Sequence, residues 1–121
     1  MTYESVRVVE SQVAPGVAFT VARMSFARRL ELMRRIRDLA GRVEFLEAGQ
    51  KPCEQMDAGL LRAEIDRLYL VWGLRAISGL EVDGVDATPE SLADSGPEEL
   101  FREALTAVRT ETGLNEAERK N

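Results

Sequence analysis

The chain has 121 residues, 45% of them hydrophobic and 31% charged, with a net charge of −5. This is the composition of one folded domain with a modest core rather than a disordered tail. The absence of histidine excludes a Ser-His-Asp triad and a Cys/His zinc site, and removes the usual general base near neutral pH.

The single cysteine, Cys53, rules out an intramolecular disulfide and fits a reducing cytosol. No apolar run nears the roughly 18 residues of a membrane span. Met1-Thr2-Tyr3-Glu4-Ser5 shows no basic stretch leading into an apolar one, so no secretory signal is expected.

Tyr3 to Glu10 is rich in β-branched residues, with Val6 and Val8 on one face and Ser5, Arg7 and Val9 on the other. Ala14-Pro15-Gly16 marks a turn, and Val17, Phe19 and Val21 then alternate with Ala18 and Thr20. These features predict a β-hairpin within residues 1–22. An isolated hairpin is marginal in water, so it must pack on helices or pair with another chain.

Ser25 is a suitable N-cap for the next element. Phe26, Leu30, Met33, Ile36, Ala40 and Val43 recur at steps of three and four, with Leu39 and Leu46 beside them, which predicts an amphipathic helix from Ser25 to Ala48. Gly49 follows as its stop, and Pro52 blocks continuation. A second helix is expected from about Glu54 to Ile77, with Leu61, Ile65, Leu68 and Trp72 as its stripe and an apolar surface that widens from Leu68 to Ile77. Two long helices over 25–78 with a short link predict an antiparallel αα-hairpin.

Asp83-Gly84 predicts a tight turn with two strand-like flanks. Thr88-Pro89-Glu90-Ser91 reads as an N-cap, a proline at the first helical position and an acid in the first turn. Ser95-Gly96-Pro97-Glu98-Glu99 repeats that logic, and its helix carries Leu100, Phe101, Leu105 and Val108 up to Gly113. In the tail, residues 114–121, Asn115 and Glu118 have the spacing of a cap for one last turn. The expected fold is mainly α within an α+β class. It is a single domain over 1–121, with an N-terminal β-hairpin, a long antiparallel αα-hairpin and a shorter C-terminal helical part over 88–113.

Charge is segregated along the chain. Arg23 to Arg42 holds seven arginines against Glu31 and Asp38, whereas Glu81 to Asn121 holds eleven acids against four bases. Arginines on one helix face can neutralise phosphates, and Arg28, Arg29, Arg34, Arg35 and Arg37 are the candidates for that role. The acidic whole chain and its few aromatic residues favour a solvated face that pairs with the acidic half instead.

No catalytic, cofactor or metal constellation emerges. Glu64 with Asp66, and Glu98 with Glu99, are too close in sequence to share a helix face. Asp83-Gly84-Val85-Asp86 lacks the further ligands of a calcium loop. Cys53 has no histidine partner. Trp72, among Leu68, Val71 and Ile77, reads as core rather than as a partner anchor, and Met24, Met33 and Met56 as gap fillers. The expectation is a binding protein rather than an enzyme, with no cofactor.

The run Glu64-Ile65-Asp66-Arg67-Leu68-Tyr69-Leu70-Val71-Trp72-Gly73-Leu74 is followed by Ile77-Ser78-Gly79-Leu80, Asp83-Gly84, Gly96-Pro97-Glu98-Glu99-Leu100 and Gly113-Leu114. This pattern resembles small phage and prophage proteins of the tail assembly chaperone kind, over about Phe26 to Asn121. The resemblance lies in helix ends and core positions and carries over no site residue. It implies a protein of the bacterial host cytoplasm that keeps the long helical tape-measure protein soluble and helps recruit the tail-tube protein. The expected partner is therefore a protein, with no nucleic acid and no membrane, and with self-association into a homo-oligomer left open. Two alternatives stay open: a structural tail or head-completion component that forms a ring through its hairpin, and a nucleic-acid-binding regulator.

Overall fold

The structure, a computed structural model, describes residues 1–113. The tail, where Asn115 and Glu118 were expected to cap a last turn, lies outside the described residues. The fold is α+β, in the order β1 (Val6–Glu10), β2 (Ala18–Ala22), α1 (Phe26–Glu47), α2 (Pro52–Gly73), β3 (Leu74–Ser78), β4 (Glu81–Val82), β5 (Val85–Asp86), α3 (Pro89–Ser95) and α4 (Glu98–Thr112). The described residues fall into two compact units. Met1–Met24 with Tyr69–Gly113 form the first, and Ser25–Leu68 the second.

In the first unit the N-terminal hairpin is part of a larger sheet. β1, β2 and β3 form a three-stranded antiparallel sheet with β2 in the middle. Val9, Phe19 and Ile77 are cross-strand neighbours on one face, and Val8, Thr20 and Ala76 on the other. Phe19 and Val21 are fully buried, as their alternation with Ala18 and Thr20 predicts. A register shift between Thr20 and Val21 interrupts the β2–β3 ladder, whereas the β1–β2 register is regular.

The second helix does not reach Ile77. It starts at Pro52, which takes the first helical position where its missing N–H costs nothing, and it ends at Gly73. Leu74–Ser78 is a strand. Leu70, Leu74 and Ile77 fit a helical spacing, so local pattern alone misleads here. The free edge of β2 needs ladder partners for its N–H and C=O groups, and residues 74–78 supply them. Gly73, a poor helix former, marks the changeover. It also permits a close approach: a Cβ at Gly73 would lie 2.4 Å from Cγ1 of Val108.

α4 packs on β2 and covers the Phe19–Val21 face with Leu100, Ala104, Leu105 and Val108. Two polar contacts fix its direction. Ser11 Oγ donates to Glu103 Oε1 at 2.5 Å, and the Gln12 N–H donates to Oε2 of the same carboxylate at 2.7 Å. Eight residues further along α4, Glu111 pairs with Arg7 at 3.2 Å. Eight helical residues rise about 12 Å, and the four strand residues from Arg7 to Ser11 about 13 Å. α4 therefore runs antiparallel to β1, and the two contacts match in length. At its C-terminal end Arg109 lies over the Tyr69 ring, 4.8 Å from the centroid.

The short elements follow their sequence signals with one exception. Asp83 and Gly84, at φ 53° and 79°, form the primed turn between β4 and β5. Thr88 caps α3 in a reciprocal box: its hydroxyl accepts from the Ser91 N–H at 3.1 Å, and Ser91 Oγ accepts from the Thr88 N–H at 2.8 Å. The exception is Ser95, which does not cap α4. It is the last residue of α3, and α4 starts behind Pro97 with no side-chain cap. Glu98 and Glu99 in the first turn and Arg109 in the last complement the helix dipole.

In the second unit, the Ser25 hydroxyl accepts from the Arg28 N–H at 3.3 Å and starts α1 as expected. The buried line of α1 is Leu32, Ile36 and Val43, extended by half-buried Leu39 and Leu46. In α2 it is Ala58, Leu61 and Ile65, extended by half-buried Leu68. Both lines step alternately by four and three, the spacing of a coiled-coil seam. The predicted stripe of α1 is thus displaced: Leu32 is core, while Phe26, Leu30 and Met33 are exposed. The α1–α2 link is held by Gln55, whose side-chain amide donates to the carbonyls of Glu47 at 3.1 Å and Gly49 at 2.8 Å. Arg62 bonds the Glu47 carboxylate.

Replacing Gly73 by alanine forces the new methyl into Val108. A cost of about 1–3 kcal/mol is expected, the range for overpacking a filled site, read as a lowered urea midpoint. Adding Val108→Ala to Gly73→Ala should give a double variant more stable than the sum of the two single losses predicts.

Candidate functional site

α1 and α2 each carry an adjacent apolar pair near the link: Phe45-Leu46 on α1 and Leu60-Leu61 on α2. Neighbours on a helix diverge by about 100°, so only one of each pair can follow the buried line. Leu61 is buried and Leu46 half-buried. Phe45 and Leu60 are left 78% and 64% exposed. Met56, one turn before Leu60, is 71% exposed.

Phe45, Leu46, Leu60 and Leu61 line a groove between the two helices. It is about 850 Å³ and is lined by Arg37, Asp38, Gly41, Arg42, Phe45 and Leu46 from α1 and by Asp57, Leu60, Leu61 and Glu64 from α2. Gly41 widens it, because no side chain projects there. Leu46 and Leu61 are its less exposed apolar members, Phe45 and Leu60 stand exposed at its walls, and its charged lining is two arginines against three carboxylates. Arg37 is already paired with Asp38 at 3.6 Å.

The groove's titratable members are arginines and acids spread along two rims, with no nucleophile–base pair among them. Among the described residues, no group of three or more His, Cys, Asp or Glu side chains is placed to hold a metal ion. No helix there is long and apolar enough to cross a membrane.

The residues singled out from sequence fall in different places. Arg34, Arg35 and Arg37 are exposed on α1, and Arg28 and Arg29 are half-buried. Arg35 takes Glu31 of the same helix as partner at 2.9 Å, so part of the basic run is neutralised locally. Glu98 is exposed and pairs with Arg102 at 3.5 Å, and Glu64 stands on the groove rim. Asp83 and Asp86 belong to the β4–β5 hairpin. Cys53 is exposed in the first turn of α2. Trp72 is buried, in keeping with a core role. Met33 and Met56 are exposed and fill no gap in the core. Sequence periodicity missed Phe45 and Leu60. The signal for them was present in the two adjacent apolar pairs, of which a single buried line can accept only one member each.

Because Phe45 and Leu60 are solvent-exposed, Phe45→Glu and Leu60→Glu should change stability by no more than about 0.5 kcal/mol, as surface substitutions do. Both should lower the fluorescence of an apolar dye such as ANS bound to the protein. Leu61→Glu, at a buried position, should instead unfold it. Equal loss of stability in all three variants would mean that the groove residues serve as core.

Compared with protein-family models, curated proteins and solved structures, the chain matches none. The groove itself carries the functional reading.

Proposed function

We propose that the chain is a helix-binding protein that covers apolar stripes on a long helical partner, in the manner of a phage tail assembly chaperone acting in the host cytoplasm. The groove with Phe45 and Leu60 at its walls is the observation that carries this reading. The resemblance of Glu64–Leu74 and the following helix-end pattern to tail assembly chaperones supplies the partner: a tape-measure protein, with the tail-tube protein recruited afterwards.

The physical fit is direct. A helix with its side chains is about 10–12 Å across, and an amphipathic helix docks by laying its apolar stripe into an apolar trough. The α1 wall, Arg37 to Leu46, is about 14 Å long at 1.5 Å per residue. It accommodates two to three turns of a guest helix. A long guest with repeated apolar stripes therefore takes up many copies, and each copy hides surface that otherwise drives aggregation. Rims of both signs suit a guest of mixed charge. They do not suit a polyanion, because Asp38, Asp57 and Glu64 would face its phosphates.

The test is co-expression with a phage tape-measure protein, followed by pull-down after nuclease treatment. The wild-type chain should bring the partner into the soluble fraction and co-purify with it in several copies. Phe45→Glu with Leu60→Glu should leave the partner insoluble while the variant itself stays folded. A partner that stays insoluble with the wild-type protein, or is rescued equally by the double variant, contradicts the reading.

A further inference from the structure

β1 is the outermost strand of its sheet, and the phase of its ladder shows which backbone groups face outward. The Arg23 N–H donates to the Ser5 carbonyl, and the Ser11 N–H to the Val17 carbonyl, both at 2.8 Å. Both pairs lie in the same register as Val6 opposite Ala22. In an antiparallel ladder, hydrogen-bonded and non-hydrogen-bonded pairs alternate. Arg7 and Val9 therefore bond inward to β2, while Val6, Val8 and Glu10 present their N–H and C=O groups to the open edge.

Natural edges are usually blunted by proline, lysine, a bulge or an inward-pointing charge. β1, Val-Arg-Val-Val-Glu, has no proline or lysine, and its ladder with β2 has no bulge. Its one charge on the covered face, Arg7, is paired with Glu111. Val8, at the centre of the strand, is 63% exposed.

We infer that β1 is a two-fold interface for a second copy of this chain, with β1 pairing antiparallel to β1 about Val8 and joining the two three-stranded sheets into one. The strand is self-complementary in this register. Val8 meets Val8 of the other copy, and the two exchange both hydrogen bonds. Val6 and Glu10 are equivalently opposed and do the same at each end. The exposed valine is covered by its own symmetry mate. Arg23 Nε donates to the outward-facing Val6 carbonyl at 3.4 Å, a long contact that gives way to the backbone N–H of the second copy's Glu10. Because the contact is isologous it closes at two copies and does not propagate into a ring. It uses no residue of the groove, so it stands apart from the helix-binding reading.

Sedimentation velocity of the full chain over a concentration series tests it, with two variants. Val8→Pro removes an outward N–H and leaves the ladder to β2 intact. Val8→Cys, made with Cys53→Ser, places two cysteines as a hydrogen-bonded pair about 5.5 Å apart between Cα atoms, within disulfide reach. Val6→Cys with Cys53→Ser places them about 13 Å apart, out of reach. The wild type should show a monomer–dimer equilibrium, Val8→Pro should be monomeric with an unchanged circular dichroism spectrum, and only the Val8→Cys protein should oxidise to a covalent dimer. A wild-type monomer at every concentration overturns the inference. So does cross-linking of Val6→Cys as readily as Val8→Cys, or a folded Val8→Pro protein that dimerises like the wild type. If Val8→Pro fails to fold, the cysteine pair alone decides.

Discussion

The pairing of β2 with β3 governs the organisation of this chain. Ala18 lies opposite Ser78 and Phe19 opposite Ile77, so two segments separated by both long helices become neighbours in one sheet. The αα-hairpin is thereby an insertion between adjacent antiparallel strands. Backbone groups on the second edge of β2 gain their partners only through this long-range closure. It also makes the sheet broad enough for α4 to cover. Without β3, Phe19 and Val21 would belong to a two-stranded ribbon, which is marginal in water. Glu103 and Glu111 then tie α4 along β1, and Gly73 admits Val108 at the point where helix gives way to strand.

Much of this was legible from local sequence, wherever local chemistry decides the outcome. The Ser25 and Thr88 caps, the Asp83-Gly84 turn and the alternation of Val17, Phe19 and Val21 each need only a few neighbouring residues to act. β3 was not legible, because Leu70, Leu74 and Ile77 satisfy a helical spacing and the reason they leave the helix lies in β2. The α1 stripe was displaced for a related reason. Apolar residues are abundant on that helix, and both Phe26-Leu30-Met33 and Leu32-Ile36-Val43 have helical spacing. Only packing separates them. The groove was legible in part: two long helices were expected, but Phe45 and Leu60 as its exposed walls were not.

Charge has a different role from the one its distribution along the chain first indicates. The arginine run on α1 looks like a phosphate-binding face, yet Arg35 and Arg37 are engaged by Glu31 and Asp38 of their own helix. Around the groove the signs are mixed. The proposed dimer would carry two of the proposed helix-binding grooves, one from each copy, and so would offer a long repetitive guest two sites on one assembly.

The most direct test of the central claim is to locate the bound helix. Amide chemical shifts of the isotopically labelled protein would be followed by NMR while an amphipathic helical peptide from the tape-measure-like partner is added. The account predicts shifts concentrated on residues 37–46 and 57–64, on both walls of the groove, with β1 and β2 unaffected. Shifts confined to the sheet or to the exposed Phe26-Leu30-Met33 face, or no shifts at a large molar excess of peptide, would contradict it.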